Sequence, residues 1–289
     1  MYDLRSDTIT LPTQEMREVL AFAEVGDDVY HEDISINTLE QMAAKMVGKE
    51  ESVFVPSGSM GNLIALYING GRGKEVLCDF NSHIIQHEVG SIASIAGTLP
   101  IGIPTKKGIL DAETIAPHIK ENSYDLAQSK LIEVENTMGG ITYPLETLKG
   151  IKALAEKNSM LVHMDGARFW NAVVATKEDP KEIAAQCDTL TFCVSKGLGA
   201  PVGSLLCGSS AFIEEARTIR KMLGAGMRQA GILAAGGIYA LQHNIERLAI
   251  DHSRAKKIAN SLSKTTWAQF DIADVHTNII FFSCASVNR

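Results

Sequence analysis

With 289 residues, 45% of them apolar, 21% charged and 6% aromatic, the chain has the composition of a soluble globular protein with one large domain or two unequal ones, and not of a disordered, collagen-like or disulfide-scaffold chain. Lysine and arginine number 27 against 34 acidic residues, a net charge of −7, so a nucleic-acid partner is not expected. No basic segment and apolar run precede Tyr2-Asp3-Leu4-Arg5, and the most apolar stretch, Met222 to Leu241, carries Arg228, Gln229 and five glycines; no membrane association is expected and the chain reads as cytoplasmic. Cys78, Cys187, Cys193, Cys207 and Cys284 contain no C-x-x-C pair and read as free thiols, most of them buried.

In chain order, a helical pattern over Ser35 to Val47 leads to an apolar strand, Ser52 to Val55, and helical spacing resumes over Met60 to Ile68. Strand Glu75 to Cys78 is followed by a helical pattern over Ile84 to Ile95 and by strand Thr98 to Ile103. Asp111 to Ile119 is expected as a helix, with Asp111 as its cap and acids in its first turn. After strand Lys130 to Val134, apolar residues recur at three and four from Leu145 to Ala155, leaving Lys149, Lys152 and Glu156 to water. Met160 to His163, Thr189 to Val194 and Gly203 to Cys207 bring the strands to seven. This alternation predicts an α/β fold, a three-layer α/β/α arrangement around a mainly parallel seven-stranded sheet. From Arg228 a long helical stretch is expected to reach Leu262, followed by strand-like Trp267 to Ile272 and Asn278 to Phe282. A boundary near Glu246 divides a large domain, 1–245, from an incomplete α+β small domain, 246–289, too slight to stand alone.

Three segments carry chemistry. Thr191-Phe192-Cys193-Val194-Ser195-Lys196-Gly197-Leu198-Gly199 delivers a lysine from the end of an apolar strand into a glycine-rich loop. Ligands of open parallel sheets bind at such strand ends, and a lysine partly stripped of water there is able to attack a carbonyl; an exposed loop lysine is the plain alternative. His163-Met164-Asp165-Gly166-Ala167-Arg168 places an acid and a guanidinium at a second strand end. A carboxylate there would hold a pyridinium nitrogen protonated, as pyridoxal phosphate requires, and Arg168 would clamp a substrate carboxylate; a structural Asp165–Arg168 salt bridge is the competing arrangement. Pro56-Ser57-Gly58-Ser59-Met60-Gly61-Asn62 turns from strand to helix and aims amides and hydroxyls at one point, a phosphate cup without the lysine of a Walker loop, although any tight turn uses small residues. His83, after the next strand, is able to lie on an aromatic ring or act as a base. His87 stands four residues on, but no third ligand is in view and no metal is expected.

A lysine for an aldehyde, an acid for a ring nitrogen and a cup for a phosphate are the needs of one cofactor. Together with Leu4-Arg5-Ser6-Asp7-Thr8, Val25-Gly26-Asp27-Asp28-Val29-Tyr30 and Met222-Leu223-Gly224-Ala225-Gly226-Met227-Arg228-Gln229-Ala230-Gly231, these segments make the chain resemble the threonine aldolases from residue 4 to about residue 260. The resemblance implies the aspartate-aminotransferase-like (type I) fold and pyridoxal 5'-phosphate on Lys196. It implies a carbon–carbon lyase that cleaves L-threonine or L-allo-threonine to glycine and acetaldehyde, a route to glycine. It also implies Asp165 facing the pyridine nitrogen, His83 over the ring, Ser57, Gly58 and Ser59 at the phosphate, and Ser6, Arg168 and Tyr30 around the amino acid. Arg228 is implied to reach the phosphate of a neighbouring subunit, giving shared sites in a homodimer or homotetramer; a helix-capping arginine is the bland alternative.

The chain departs from the family's pattern at two places. Glu135-Asn136-Thr137-Met138-Gly139-Gly140 has Met138 where family members commonly carry histidine, and a thioether takes no proton near neutral pH. Relatives are also expected to continue past Ser286-Val287-Asn288-Arg289 and supply a further arginine, which Arg289 does not match. Two other functions compete: a β-eliminating lyase or phenylserine-type aldolase, favoured by an apolar Met138, and a catalytically silent cofactor-binding oligomer.

Overall fold

The computed structural model describes residues 3–284, so Tyr2 and the Ser286–Arg289 end lie outside the described residues. The seven expected strands form as β1 (Glu51–Val55), β2 (Glu75–Asp79), β3 (Leu99–Ile103), β4 (Ser129–Glu135), β5 (Leu161–Gly166), β6 (Thr189–Cys193) and β7 (Ser204–Gly208). They join one sheet in the order β1-β7-β6-β5-β4-β2-β3. Strands β2 to β6 pair in parallel, and β7 is antiparallel to both β6 and β1. Six of the seven therefore run in one direction, and their carboxyl ends share one edge.

Both faces of the sheet are covered, because the strands alternate two buried sets of side chains. Leu77, Ile132, Val134, Val162, Met164, Leu190 and Phe192 face the larger core, with α1 (Gln14–Ala21) and α2 (Ile34–Val47) contributing Met16, Ile36 and Leu39. Val53, Val55, Leu206, Val76, Cys78 and Leu131 face the other side, under α3 (Gly58–Ala65) and α10 (Ser210–Met222). Between them in the chain lie α4 (His83–Gln86), α5 (Ser91–Ser94), α6 (Ala112–Ile115), α7 (Leu145–Lys157), α8 (Phe169–Thr176) and α9 (Pro180–Ala184). Beneath the turn after β5, Phe169, Trp170 and Phe192 pack with ring centroids 5.4 to 6.3 Å apart. Each such buried side chain contributes about 1.5–3 kcal/mol, so this turn rests on a firm base.

Four expected elements are corrected. The single helix over Ile84 to Ile95 is two short helices, α4 and α5, because Val89 (φ 56°) and Gly90 (φ 68°) turn left-handed in succession. The break turns Glu88 inward, where it is 5% exposed. The long helix from Arg228 to Leu262 is α11 (Gly231–His243) and α12 (Leu248–Leu262), parted at Asn244, whose amide donates to the Leu198 carbonyl at 2.7 Å and so ties a helix end to the Lys196 loop. Trp267 to Ile272 and Asn278 to Phe282 are not full strands; a two-residue ribbon pairs β8 (Ala268–Gln269) with β9 (Ser283–Cys284). Here the polar side chains bind elsewhere: Asn278 donates to Asp7 at 3.0 Å, Thr277 donates to the Gly140 carbonyl at 2.8 Å, and His276 Nδ1 accepts from the Thr142 amide at 3.1 Å. Among the described residues no helix is long and apolar enough to cross a membrane.

Candidate active site

The shared sheet edge collects the residues that the sequence singles out. Ser57 has an extended backbone (φ −149°) and its Oγ accepts the Met60 amide at 3.2 Å, an N-cap for α3. The Gly58 and Ser59 amides are first-turn donors with no acceptor among the described residues, so the turn presents free N–H groups and two hydroxyls at the positive end of a helix dipole. Close approach explains the glycines. A Cβ on Gly58 would stand 2.9 Å from Cys193 Sγ, and one on Gly61 would stand 2.7 Å from Thr191 Cγ2. The turn thus lies directly on the ends of β6 and β7.

Asp165 is the penultimate residue of β5, in register between Glu135 on β4 and Thr191 on β6, and is 2% exposed. Its Oδ1 accepts the Ala167 amide at 2.9 Å and its Oδ2 accepts Asn62 Nδ2 at 2.7 Å. Lys196 follows β6 by three residues, and its Nζ makes no hydrogen bond or ion pair with the described residues; the structure brings it to the same edge as Asp165 and the Ser57 turn. Buried Thr191 Oγ1 also has no hydrogen-bond partner.

Arg168 does not pair with Asp165. It pairs with Asp7, through Nε at 3.0 and 3.2 Å and NH2 at 2.6 Å. One edge of the guanidinium, Nε and NH2, is thus engaged by Asp7, and the other edge, NH1 with the second NH2 hydrogen, has no partner among the described residues. Burial pushes the Asp7 carboxyl up, but the Arg168 bonds and charge, with Asn278, hold it below the usual carboxylate range. Ser6 caps the turn Asp7–Ile9, accepting from Thr8 N at 3.2 Å and Thr8 Oγ1 at 3.0 Å, and thereby fixes where Asp7 stands.

His83 opens α4. Its backbone amide donates to Glu135 Oε2 at 2.9 Å and its Nδ1 meets Glu88 Oε1 at 2.9 Å. The Glu88 hydrogen bond raises the imidazole above its ordinary value, and the charges of Asp165, Glu88 and Glu135 add to this. Burial, reinforced by Asp165, pushes the Glu135 carboxyl up to about 7. His83, Glu88 and Asp165 bring ligand-type atoms within 4.8 Å of one another, but His87 is not among them, and the Asn62 amide already bridges both carboxylates at 2.7 and 2.9 Å.

Two further segments meet through Asp28, whose partner Arg220 also donates to the Phe54 carbonyl of β1 at 2.8 Å. Arg228 is half exposed and pairs with Asp27 at 3.0 Å, while its carbonyl accepts the Asp28 amide at 3.1 Å; it caps no helix. Buried Arg220 holds Asp28 at 2.8 Å. Tyr30 closes the same turn with its side chain 70% exposed. Met138 packs on Gly108, at the head of a tight turn in which Gly139 and Gly140 have φ of 57° and 90° and Met138 and Ile141 exchange backbone bonds at 3.1 and 2.9 Å.

The donor set fits pyridoxal phosphate: an unpaired primary amine, a buried carboxylate with lone pairs to spare, and a helix start whose free N–H groups lie where a Cβ would collide with the sheet. Asn62, Glu88, His163, Glu135 and Asp7 complete the site and were not singled out by sequence reasoning as functional. All but Glu88 lie inside the segments that carry the chemistry, Asn62 after the Ser57 turn, Asp7 after Ser6, His163 before Asp165 and Glu135 ahead of Met138, which was the available signal.

A family model described as Beta-eliminating lyase matches residues 3–285. The chain is 42% identical over 289 residues to the low specificity L-threonine aldolase of Escherichia coli strain K12, covering 100% of this chain and 86% of that one. It is 45% identical over 272 residues to an uncharacterized protein of Caenorhabditis elegans, covering 93% of this chain and 66% of that protein, just under two thirds of its length. Among solved structures, a threonine aldolase of Leishmania major aligns with a TM-score of 0.81 at 20% identity, over 91% of this chain and 79% of the other.

Proposed function

Because the chain belongs to the beta-eliminating lyase family, we propose that it is a pyridoxal-phosphate-dependent carbon–carbon lyase, an aldolase that cleaves L-threonine or L-allo-threonine to glycine and acetaldehyde. The observation that carries this reading is the meeting of an unpaired Lys196, a buried Asp165 and the open Ser57–Gly58–Ser59 helix start at one sheet edge. The name of the Escherichia coli relative supports the substrate class.

When bound, pyridoxal phosphate withdraws electrons from the bonds at Cα of an attached amino acid. Lys196 Nζ would hold the aldehyde of the cofactor, and Asp165 would hold its ring nitrogen. The Gly58 and Ser59 amides, with the Ser57 and Ser59 hydroxyls, would take the phosphate. Arg168, aimed by Asp7 and aided by Ser6, would take the substrate carboxylate through its free NH1 edge, a contact that would orient the amino acid. His83 would cover the ring, and its Nε2, the nitrogen that Glu88 leaves free, would accept the β-hydroxyl proton. Tyr30 and Arg228, on an exposed turn, serve a neighbouring subunit's site in a homodimer or homotetramer. The reading keeps a cytoplasmic location, in accord with five free cysteines, a contribution to glycine formation, and a division of the chain near residue 246.

Incubating the protein and pyridoxal phosphate with L-threonine, L-allo-threonine, phenylserine and serine tests the reading. Glycine and acetaldehyde from the first two are expected; pyruvate and ammonia as main products, or no product, would overturn it.

A further inference from the structure

Asp165 is a buried acid among acids. Glu135 is its register partner on β4, and Glu133, two residues earlier, is fully buried with both carboxylate oxygens unpartnered. Glu88 and His83 approach from the α4 side, Cys193 from β6, and Lys196 and Arg168 from the loops beyond. His163 precedes it on the same face of β5. Only two groups among the described residues donate hydrogen bonds to its carboxylate, the Ala167 amide and Asn62 Nδ2.

Asn62 sits on α3, 1% exposed, and all of its hydrogen-bonding groups are engaged. Nδ2 donates one hydrogen to Asp165 Oδ2 at 2.7 Å and the other to Glu88 Oε1 at 2.9 Å. Oδ1 lies 3.2 Å from His163 Nε2, and His163 Nδ1 lies 2.9 Å from Thr189 Oγ1, which accepts Asn69 Nδ2 at 3.2 Å. Chemistry permits one assignment of protons. Two carboxylates demand the NH2 end of the amide, so Oδ1 must face His163 and His163 must carry its proton on Nε2. Nδ1 then accepts from the Thr189 hydroxyl. Complete burial pushes His163 down to about 4, which keeps the ring neutral and single-tautomer at working pH.

We propose that Asn62 is a positioning residue for the cofactor, its amide locked by His163 so that its two N–H bonds hold Asp165 toward the ring nitrogen and Glu88 against His83. One side chain thereby couples the group beneath the ring edge to the group above its face. Without it, two buried acids would face each other with no donor between them, and Asp165 would turn or take up a proton. The inference rests on the pyridoxal phosphate reading of the site.

The test uses purified full-length protein and pyridoxal phosphate. Asn62→Asp keeps the shape and the acceptor for His163 but replaces the NH2 by a third acid; Asn62→Leu removes both polar ends. Folding is checked by circular dichroism, and the dissociation constant of the cofactor and the pH dependence of its bound visible absorbance are measured. Loss of a hydrogen bond to a charged group weakens binding at least about tenfold. The acid limb of the absorbance titration is expected to move up by about one pH unit, because the protonated acid no longer competes with a donor. His163→Gln, which retains a donor toward Asn62, is expected to bind more nearly as the wild type does than His163→Leu. A cofactor affinity and acid limb within twofold and a few tenths of a unit of wild type in folded Asn62→Asp would overturn the inference while leaving the cofactor reading intact. Absence of cofactor binding by the wild type would overturn that reading itself.

Discussion

Asp7 takes the Nε and NH2 edge of Arg168 before any substrate arrives, so it aims the guanidinium instead of competing with it. Asp7→Asn keeps the shape but weakens a charge-assisted bond, and the KM for L-threonine should rise about tenfold with cofactor affinity little changed; steady-state kinetics beside a cofactor titration checks this. Glu135 makes a prediction about stability. Its folded pKa, about 7, lies above the ordinary 4.5, so its contribution is fully present below about 4.5 and is lost as pH rises toward 7, where a charge must stand beside Asp165. Glu135→Gln should therefore gain stability over wild type in urea unfolding at pH 8 and show little gain at pH 4. Lys196, Asp165, Ser57 and His83 were legible because each stands at or just past the end of an apolar strand. The pairings of Asp7 with Arg168 and Asn62 with Asp165 were not, since they join positions 161 and 103 residues apart.

At the scale of elements, caps and close contacts hold the site to the sheet. Asp33 is fully buried and caps α2, its Oδ1 accepting Ile36 N at 3.0 Å and its Oδ2 accepting Gly231 N at 2.8 Å and Gly26 N at 3.2 Å. Removing a cap and two further charge-assisted bonds in Asp33→Ala should cost about 3 kcal/mol, read as a lowered urea midpoint. Gly61→Ala would push a methyl onto Thr191 and lift α3 from β6, costing about 1–3 kcal/mol and weakening cofactor binding. All seven sheet strands were readable from apolar runs bounded by turn residues. The helix over Ile84 to Ile95 and the one from Arg228 to Leu262 were not, because apolar spacing continues across both breaks. A left-handed backbone at Val89 and Gly90 separates α4 from α5, and a side-chain bond from Asn244 to Leu198 marks the end of α11; neither has a periodic signature.

For the whole molecule, the β1-β7-β6-β5-β4-β2-β3 order sends six strand ends to one edge, and that direction fixes where the site residues gather. The Asp27–Arg228 pair and exposed Tyr30 stand on a turn tied down by buried Arg220–Asp28, a firm mount for the role proposed for them at a neighbouring subunit's site. If sites are shared, Lys196→Ala and Arg228→Ala should each be inactive alone, and subunit exchange between them should restore measurable turnover; no recovery after verified exchange would show that each chain completes its own site. The most direct test of the central claim is borohydride reduction of the protein with pyridoxal phosphate, followed by peptide mass spectrometry. The phosphopyridoxyl group should be found on Lys196, and a stable adduct on a different lysine, or none, would contradict the account.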